Sequence, residues 1–306
     1  MPSPSFPLLA IDWGTSSLRG ARIAADGQVL EQRGLARGIL SVPTGGFEAA
    51  LDEAFGDWRA QSALCLVSGM AGSRQGWVEA PYCPCPAGFA ELAAQLAWVP
   101  GARSPVAIVP GLSTEQGGLP DVMRGEEVQI FGAMQLSGLA DGLFVLPGTH
   151  SKWARAEAGR VTGFRSFMTG EVYALLSQHS ILARTLNAEA PFDEAAFVQG
   201  VARARDAGGL LHHAFGARAL ALFGRLDADR LPSYLSGLVI GTELHGAAPR
   251  PDAPVMLIGS DTLTARYALA LALEVHGVAS RRLGAEATWA GLHALARTLD
   301  GSHARP

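Results

Sequence analysis

One strand pattern occurs twice in the chain and constrains the fold more than any other feature. Near the start, the apolar run LLAID (8–12) is followed by a turn of small hydroxylated residues, a second strand-like run and, beyond Asp26-Gly27, a third. An Asp-Gly pair between two such runs predicts a hairpin. The segment LFVLPGTHSKWARA (143–156) begins the same succession. Each half is therefore predicted to open as an antiparallel meander, which is not the opening of a Rossmann unit.

Length and composition predict a folded chain of about two domains. The chain has 306 residues, of which 48% are hydrophobic and 17% are charged. The net charge is −4 and no segment concentrates basic residues, so neither nucleic acid nor an anionic membrane is an expected partner. Residues 1–12 lack the basic start and apolar centre of a signal peptide. With three cysteines, too few for a disulfide framework, these features predict a cytoplasmic protein.

The remaining elements follow from apolar spacing and from glycine and proline. The expected domains are 1–120 and 121–306. Between the meanders, the expected elements are a helix at 45–60, buried strands at 63–69 and 105–111, and a loop at 69–86. After the second meander, they are helices at 171–185, 193–205 and 233–246, a strand and helix over 255–275, and a last helix at 285–299.

The two hydroxyl turns are predicted to form the two halves of a phosphate clamp. Glycine lets the backbone approach an anion, and amides and hydroxyls can bind it. A carboxylate at the strand end would bind a hydrated Mg²⁺ that the phosphates share. The alternative is two ordinary polar hairpin turns. The residues concerned are Asp12, Gly14, Thr15 and Ser16 in the first turn and Gly148, Thr149 and Ser151 in the second.

These motifs resemble those of the sugar kinase, heat-shock-70 and actin superfamily. LLAIDWGTSSLRGARI (8–23) is similar to its first phosphate motif and LFVLPGTHSKW (143–153) to its second. VMLIGSDTLTARYAL (255–269) resembles its adenosine motif, with Gly259 and Ser260 beside the base and ribose. The resemblance implies an α/β, two-domain actin-like ATPase fold. Two ribonuclease-H-like cores would enclose a nucleotide cleft that binds ATP and Mg²⁺.

Four segments narrow the resemblance to the 2-dehydro-3-deoxygalactonokinases. They are GMAGSRQGW (69–77), RGEEVQIFGA (124–133), LPGTHSKW (146–153) and SFMTGEVYALL (166–176). The resemblance implies ATP-dependent phosphorylation of the 6-hydroxyl of 2-keto-3-deoxygalactonate, a sugar acid of galactonate and galactose catabolism. A homodimer is left open. The alternatives are a kinase for another sugar or sugar acid, and a non-catalytic sugar- or ATP-sensing protein of the same fold.

The catalytic base is predicted in the segment RGEEVQIFGAM (124–134). Phosphoryl transfer to an alcohol requires a carboxylate that accepts the alcohol's proton. The segment is similar to the glycerol-kinase-type helix in which an Asp follows Gly, but it has Glu and is one residue shorter. Glu126 and Glu127 are both candidates, and Glu126 is favoured because it follows Gly125. The alternative is that both acids only complement the helix dipole.

A carboxylate substrate is expected to bind arginine, which is always charged and can bind in a bidentate manner. Arg74, in a loop that follows a strand, is the first candidate, and Arg124 and Arg165 are rivals. Each could instead form a surface ion pair. Trp77 is predicted either to pack on the sugar chain or to anchor the loop in the core.

Four polar residues near the predicted motifs have less specific expectations. His150 and Lys152 flank the second turn, and Lys152 is predicted either to touch a phosphate or to point to solvent. Glu171 is predicted to cap a helix start. Glu243 is predicted to be structural, because its helix packs through apolar residues on either side.

Overall fold

The computed structural model describes residues 7–249, 255–274 and 279–299. The strands are β1 (Leu8–Trp13), β2 (Leu18–Ile23), β3 (Val29–Leu35), β4 (Leu64–Gly69), β5 (Tyr82–Pro84), β6 (Ala97–Trp98), β7 (Val106–Ile108), β8 (Gly111–Gln116), β9 (Leu119–Met123), β10 (Gly142–Leu146), β11 (Ser151–Glu157), β12 (Arg160–Phe167), β13 (Val255–Ile258) and β14 (Ser280–Leu283). The helices are α1 (Phe47–Arg59), α2 (Phe89–Ala94), α3 (Glu126–Ser137), α4 (Thr169–Ala174), α5 (Glu194–Arg203), α6 (Gly209–Leu222), α7 (Leu231–Ala247), α8 (Asp261–Glu274) and α9 (Glu286–Leu299).

The chain divides into two compact units. The first contains the described parts of Met1–Asp141, Ala154–Phe164 and Leu283–Pro306, and the second contains those of Gly142–Trp153 and Arg165–Arg282. The predicted domains at 1–120 and 121–306 are continuous stretches and stay a prediction. Residues 1–6, in the segment that lacks signal-peptide features, and Val275, in the predicted helix after β13, lie outside the described residues.

The first sheet has the strand order β3-β2-β1-β4-β7-β6. The strands β1, β2 and β3 form an antiparallel meander, as the sequence predicts. β4 then pairs parallel with β1, and β7 pairs parallel with β4. Helix α1 buries its apolar face, including Leu51 and Phe55, in a core cluster with Leu9, Ile11 and Val67 of the sheet.

The second sheet repeats this order. Its strands lie in the order β12-β11-β10-β13-β14, and β13 pairs parallel with β10. The first four positions therefore match β3-β2-β1-β4 of the first sheet. This duplication confirms the predicted α/β class and two-core architecture. In the described parts of the chain, no helix is both long enough and apolar enough to span a membrane.

Two segments differ from the sequence prediction. The region expected to be loop at 69–86 contains a 3₁₀ turn at Met70–Gly72 and the strand β5, which pairs with β8 in a small third sheet completed by β9. The helix expected at 171–185 is interrupted. A π turn at Leu175–His179 follows α4, and Ser180 is extended and accepts the Leu182 amide, which starts a separate 3₁₀ turn.

Each unit contains a pair of helices that touch through glycine. In the first unit, a β-carbon at Gly132 of α3 would lie 1.7 Å from the Ala287 carbonyl oxygen of α9. In the second unit, a β-carbon at Gly200 of α5 would lie 2.0 Å from the Tyr234 carbonyl oxygen of α7. The backbones can approach this closely only because glycine has no side chain. Ile130 and Phe131 of α3 are buried.

We expect Gly132→Ala to lower the stability of the protein by about 1–3 kcal/mol, because overpacking forces the two helices apart. The control is Gly216→Ala on α6, where a β-carbon would meet no atom within 4 Å. That change is expected to be neutral or to stabilise by about 0.5–1 kcal/mol, since alanine favours helix. Urea midpoints of both variants check this. Equal midpoints for the two variants would contradict the account of the α3–α9 contact.

Candidate active site

The first hydroxyl turn joins β1 to β2 and has a closely held backbone. The Gly14 amide donates a hydrogen bond to the Ser17 carbonyl (2.9 Å). Gly38 lies so near that a β-carbon there would be 2.0 Å from the Thr15 carbonyl oxygen. The side chains of Thr15 and Ser16 are nevertheless exposed. The turn therefore presents hydroxyl groups to solvent, which a phosphate-binding turn requires.

Asp12 lies at the end of β1, beside this turn. It forms an ion pair with Arg19, its partner in register on β2. Mg²⁺ takes oxygen ligands and usually keeps several of its waters. The Asp12 carboxylate supplies oxygen ligands of the kind that Mg²⁺ takes. The described residues contain no group of three or more His, Cys, Asp or Glu side chains that could hold a metal ion.

Two glycines bring Asp12 close to the start of α3. Gly69 ends β4 at φ +89°, and a β-carbon there would lie 3.3 Å from Asp12 Oδ1. Gly125 immediately precedes α3 at φ +104°, and a β-carbon there would lie 3.2 Å from Gly69 Cα. Both angles belong to the left-handed region that favours glycine. The acid at the strand end and the acids at the helix start, Glu126 and Glu127, consequently lie in one part of the first unit.

The two acids that begin α3 have different surroundings. Glu126 is half-buried, and its Oε2 accepts the Arg124 amide (3.0 Å). Glu127 is 0% exposed; its Oε2 accepts the Gly125 amide (2.7 Å) and its Oε1 is enclosed without a hydrogen-bond partner. Burial raises the pKa of Glu127 to about 8, and repulsion from Glu126 acts in the same direction. Glu126 therefore remains partly exposed, whereas the protein encloses Glu127.

The two candidate substrate-binding arginines of the first unit, Arg74 and Arg124, differ in exposure and in partners. The Arg74 side chain is 89% exposed and its Nε lies 3.2 Å from a Glu79 carboxylate oxygen. The Arg124 guanidinium lies 4.3 Å from the Tyr82 ring centroid and donates from Nη2 to the Ala80 carbonyl (2.8 Å). Its Nε and Nη1 are buried without a partner. Buried donors of this kind cost free energy unless an acceptor is supplied.

Two other predicted substrate ligands are occupied by contacts within their own units. The Trp77 ring stacks on Phe47 at 6.2 Å and meets Trp13 edge-on at 6.3 Å. These contacts support its interpretation as an anchor of the loop. Arg165 donates to the Ala247 carbonyl (2.5 Å) at the end of α7, where a cation complements the helix dipole.

The second hydroxyl turn precedes β11 and lies against the start of α4. The Thr149 carbonyl accepts the Glu171 amide (3.0 Å), and a β-carbon at Gly170 would lie 2.4 Å from the Gly148 carbonyl oxygen. Thr149 and His150 are exposed. The His150 Nε2 lies 2.5 Å from Glu171 Oε2. The prediction that Glu171 caps a helix is therefore wrong, because its carboxylate binds this histidine and α4 begins without a side-chain cap.

A buried polar network connects this turn to α7 and α8. The Ser151 and Tyr267 hydroxyls are hydrogen-bonded at 2.9 Å. Glu243 accepts from Trp153 Nε1 and from the Tyr267 hydroxyl, both at 2.6 Å. Burial raises the pKa of Glu243, although hydrogen bonds from Thr169 and the other donors oppose the shift. Glu243 is thus structural, as predicted, and the Ser151 hydroxyl faces this interior network.

The predicted adenosine motif has the expected strand–turn–helix form. β13 ends before Gly259, which has φ +153°, and α8 begins at Asp261. The Ser260 hydroxyl accepts the Leu263 amide (3.5 Å), and the Ser260 side chain is exposed. This turn and the one at Gly148 both belong to the second unit.

Comparison with known proteins agrees with this arrangement. The sequence model of the family described as 2-keto-3-deoxy-galactonokinase matches residues 12–295. The chain belongs to that family. It is 39% identical to the Rhizobium meliloti (strain 1021) protein named "Probable 2-dehydro-3-deoxygalactonokinase", over 95% of this chain and 96% of that one. It is 34% identical to the 2-dehydro-3-deoxygalactonokinase of Escherichia coli (strain K12), over 85% of this chain and 87% of that one.

A solved structure supports the fold of this family member. A candidate 2-dehydro-3-deoxygalactonokinase from Sinorhizobium meliloti superposes with a TM-score of 0.88 at 39% identity. The alignment covers 96% of this chain and 100% of that one. The two-domain actin-like kinase fold implied by the sequence resemblance is therefore confirmed along nearly the whole chain.

Sequence reasoning missed residues that shape the site without bearing its chemistry. Gly69 and Gly170 let backbone segments approach Asp12 and Gly148, and Tyr267 links the second turn to α8. A glycine after a buried strand indicates a turn, and this was the only sequence signal available for Gly69. The Tyr267 contact spans more than one hundred residues of sequence, so local patterns carry no trace of it.

The raised pKa of Glu127 predicts how stability depends on pH. The folded protein keeps a proton on Glu127 up to about pH 8, whereas the unfolded chain loses it near 4.5. The contribution of protonated Glu127 to the free energy of unfolding is fully present below about pH 4.5 and is lost as pH rises through about 8. We expect Glu127→Gln to remove this loss, which amounts to about 1.4 kcal/mol per pH unit at most.

Urea unfolding at several pH values between about 5 and 8 measures this pH dependence of stability, because the range lies between the pKa values of Glu127 in the unfolded and folded protein. The control is Glu115→Gln, which changes an exposed carboxylate on β8 and should follow the wild-type curve. If the curves of wild type and Glu127→Gln stay parallel across the range, Glu127 does not hold a proton in the folded protein.

Proposed function

We propose that the protein is an ATP-dependent kinase that phosphorylates the 6-hydroxyl of 2-keto-3-deoxygalactonate, acting in the cytoplasm. The proposal rests above all on the accessible Glu126 placed near Asp12 in a chain of the 2-keto-3-deoxy-galactonokinase family. Phosphoryl transfer to an alcohol needs a proton acceptor and groups that neutralise phosphate charge. An accessible carboxylate and a second one suited to a metal supply these two requirements.

Within this proposal, Glu126 is the general base. It accepts the proton of the sugar hydroxyl as that oxygen attacks the terminal phosphorus of ATP and ADP leaves. Ionisation suits this role, and a helix N-terminus stabilises a carboxylate. Glu127 is enclosed and its pKa is raised to about 8, so it is suited to holding the helix start rather than to meeting substrate.

The nucleotide-binding roles are proposed for each unit by itself. Bound Mg²⁺ would neutralise phosphate charge, and Asp12 would hold it. The exposed hydroxyls of Thr15 and Ser16 and the turn at Gly148 and Thr149 would contact phosphate. Gly259 and Ser260 would lie beside the base and ribose. Ser151 would act indirectly, by tying the second turn to the Glu243 network.

The substrate carboxylate is proposed to bind Arg124. Its buried Nε and Nη1 lack acceptors, and a carboxylate would supply them after a small movement of the side chain. Stacking on Tyr82 fixes the plane of the guanidinium, which favours bidentate binding. Arg74 is the alternative, and its exposed pairing with Glu79 would have to be exchanged for the substrate.

The proposed function predicts ADP release with one class of acceptor. With ATP and Mg²⁺, we expect ADP release with 2-keto-3-deoxygalactonate and little with glycerol, glucose or galactonate, because the family and the relatives are named for a keto-deoxy sugar acid. A coupled assay measures ADP, and mass spectrometry locates the phosphate. Equal release with a neutral sugar would favour a broader sugar kinase, and no release with any acceptor would favour a sensing protein.

Glu126→Gln tests the proposed base in this assay, because the amide keeps the size of the side chain but cannot accept the proton. It should lower kcat about 10²–10⁴-fold with ATP binding retained. Glu127→Gln should be affected much less. The reverse pattern would assign the base to Glu127.

Assigning the substrate carboxylate to Arg124 or to Arg74 predicts different effects of alanine variants on KM for the sugar acid. Arg124→Ala should raise KM for the sugar acid strongly, by about 10–100-fold from loss of a charge-assisted hydrogen bond. Arg74→Ala, an exposed change, serves as the matched control and should leave KM within about twofold. Melting temperatures of both variants verify folding. A large KM effect in Arg74→Ala alone would move the carboxylate site to Arg74.

A further inference from the structure

Lys152 is the only lysine in the chain. Of the 24 Lys and Arg residues, the other 23 are arginine. The chain therefore uses arginine wherever a general positive charge serves, in surface ion pairs and at the end of α7. The one lysine differs chemically from these arginines, because a compact ammonium group and a planar guanidinium are not interchangeable.

The ammonium group of Lys152 is enclosed without a carboxylate partner. The residue is 6% exposed, and its Nζ donates to the Ser166 hydroxyl at 2.7 Å. In the parts of the chain that the structure describes, it forms no ion pair. Arg59 provides the contrast, since it is 5% exposed but is paired with both Glu48 (2.8 Å) and Asp52 (2.7 Å). A buried charge without a counter-charge costs free energy.

The position of Lys152 indicates what the counter-charge is. It lies in β11, three residues after Thr149 of the second hydroxyl turn. Ser151 and Trp153 reach the Tyr267 and Glu243 network. Because side chains alternate along a strand, Lys152 points to the opposite face of the sheet. Its partner Ser166 lies four residues before Gly170, where a β-carbon would be 2.4 Å from the Gly148 carbonyl oxygen of the second turn. These contacts place the ammonium on the segment that leads to this turn.

We propose that the Lys152 ammonium binds a phosphate group of ATP and neutralises charge on it during transfer. The proposal rests on the proposed kinase function and refines its nucleotide site. Lysine binds phosphate as a point charge and needs no fixed plane. Lys152 forms no covalent bond in this role, and the phosphoryl group passes directly to the sugar hydroxyl. The sugar-acid carboxylate is the other oxyanion that could reach it, and the experiments separate the two.

Substitution distinguishes this role from a structural one. Lys152→Met keeps the length of the side chain and removes the charge, so kcat/KM for ATP should fall about 10²–10³-fold, as for a lost electrostatic stabiliser. The melting temperature should not fall, because an uncompensated buried charge is removed. Lys152→Arg should restore only part of the activity. Arg155→Met, which removes an exposed charge from the same strand, should leave both quantities unchanged.

Activity of Lys152→Met within about threefold of wild type would overturn the proposal, since a phosphate-binding cation contributes far more. A loss of activity accompanied by a fall of several degrees in melting temperature, rescued fully by Lys152→Arg, would also overturn it. That pattern would assign Lys152 to the structure of the β11–β12 pair.

A single lysine also permits a direct test on the wild-type protein. In protein labelled with ¹³C,¹⁵N-lysine, one set of side-chain NMR signals reports Lys152 alone. The signals should shift with Mg²⁺ and the non-hydrolysable analogue AMP-PNP, and they should stay in place with 2-keto-3-deoxygalactonate alone. A shift with the sugar acid alone would overturn the phosphate assignment.

The same measurement separates this proposal from the proposed function. If AMP-PNP shifts the lysine signals but no acceptor supports ADP release, the phosphate contact stands and the kinase function fails. If ADP release occurs with the sugar acid and AMP-PNP leaves the lysine signals unmoved, the kinase function stands and the Lys152 proposal fails.

Discussion

The close approach of Gly69 and Gly125 is the constraint on which the first half of the candidate site depends. A β-carbon at Gly125 would lie 3.2 Å from Gly69 Cα, and a β-carbon at Gly69 would lie 2.8 Å from the Trp13 carbonyl oxygen of β1. Both residues also have φ angles that favour glycine. Their contact allows a carboxylate from a strand end and a carboxylate from a helix start to lie together. The chemistry therefore depends on two residues that have no side chains.

Both hydroxyl turns are held in the same way, through their carbonyl groups. The Gly14 carbonyl accepts the Ile39 amide (3.0 Å), and the Thr149 carbonyl accepts the Glu171 amide (3.0 Å). In each case a nearby glycine, Gly38 or Gly170, permits the contact. Holding the carbonyl side fixes each turn while the side chains of Thr15, Ser16 and Thr149 remain exposed. The duplication thus extends from strand order to the way each turn is supported.

The sequence was sufficient to predict the parts of the fold that local patterns determine. The meander, including β3 at Val29–Leu35, follows from strand-like runs and from the turn signals between them. The start of α3 at Glu126 follows from Gly125 and the apolar spacing beyond it. The break at Ser180 and the third sheet were not predicted, because each is decided by contacts between segments distant in sequence.

For the candidate site, too, the sequence identified some features and contacts distant in sequence decided others. Residue type and position beside a turn identified Asp12, Glu126 and the hydroxyl residues as candidates, but burial decides how each charged group can act. Glu127 follows the half-buried Glu126 and Lys152 lies three residues after the exposed Thr149, yet both Glu127 and Lys152 are buried. Glu127 responds by retaining a proton, with a pKa of about 8. Lys152 differs from Glu127, because a bound anion can supply the counter-charge that its ammonium group lacks. Burial thus suits the carboxyl to a supporting role in the helix start and suits the lysine to a role in binding.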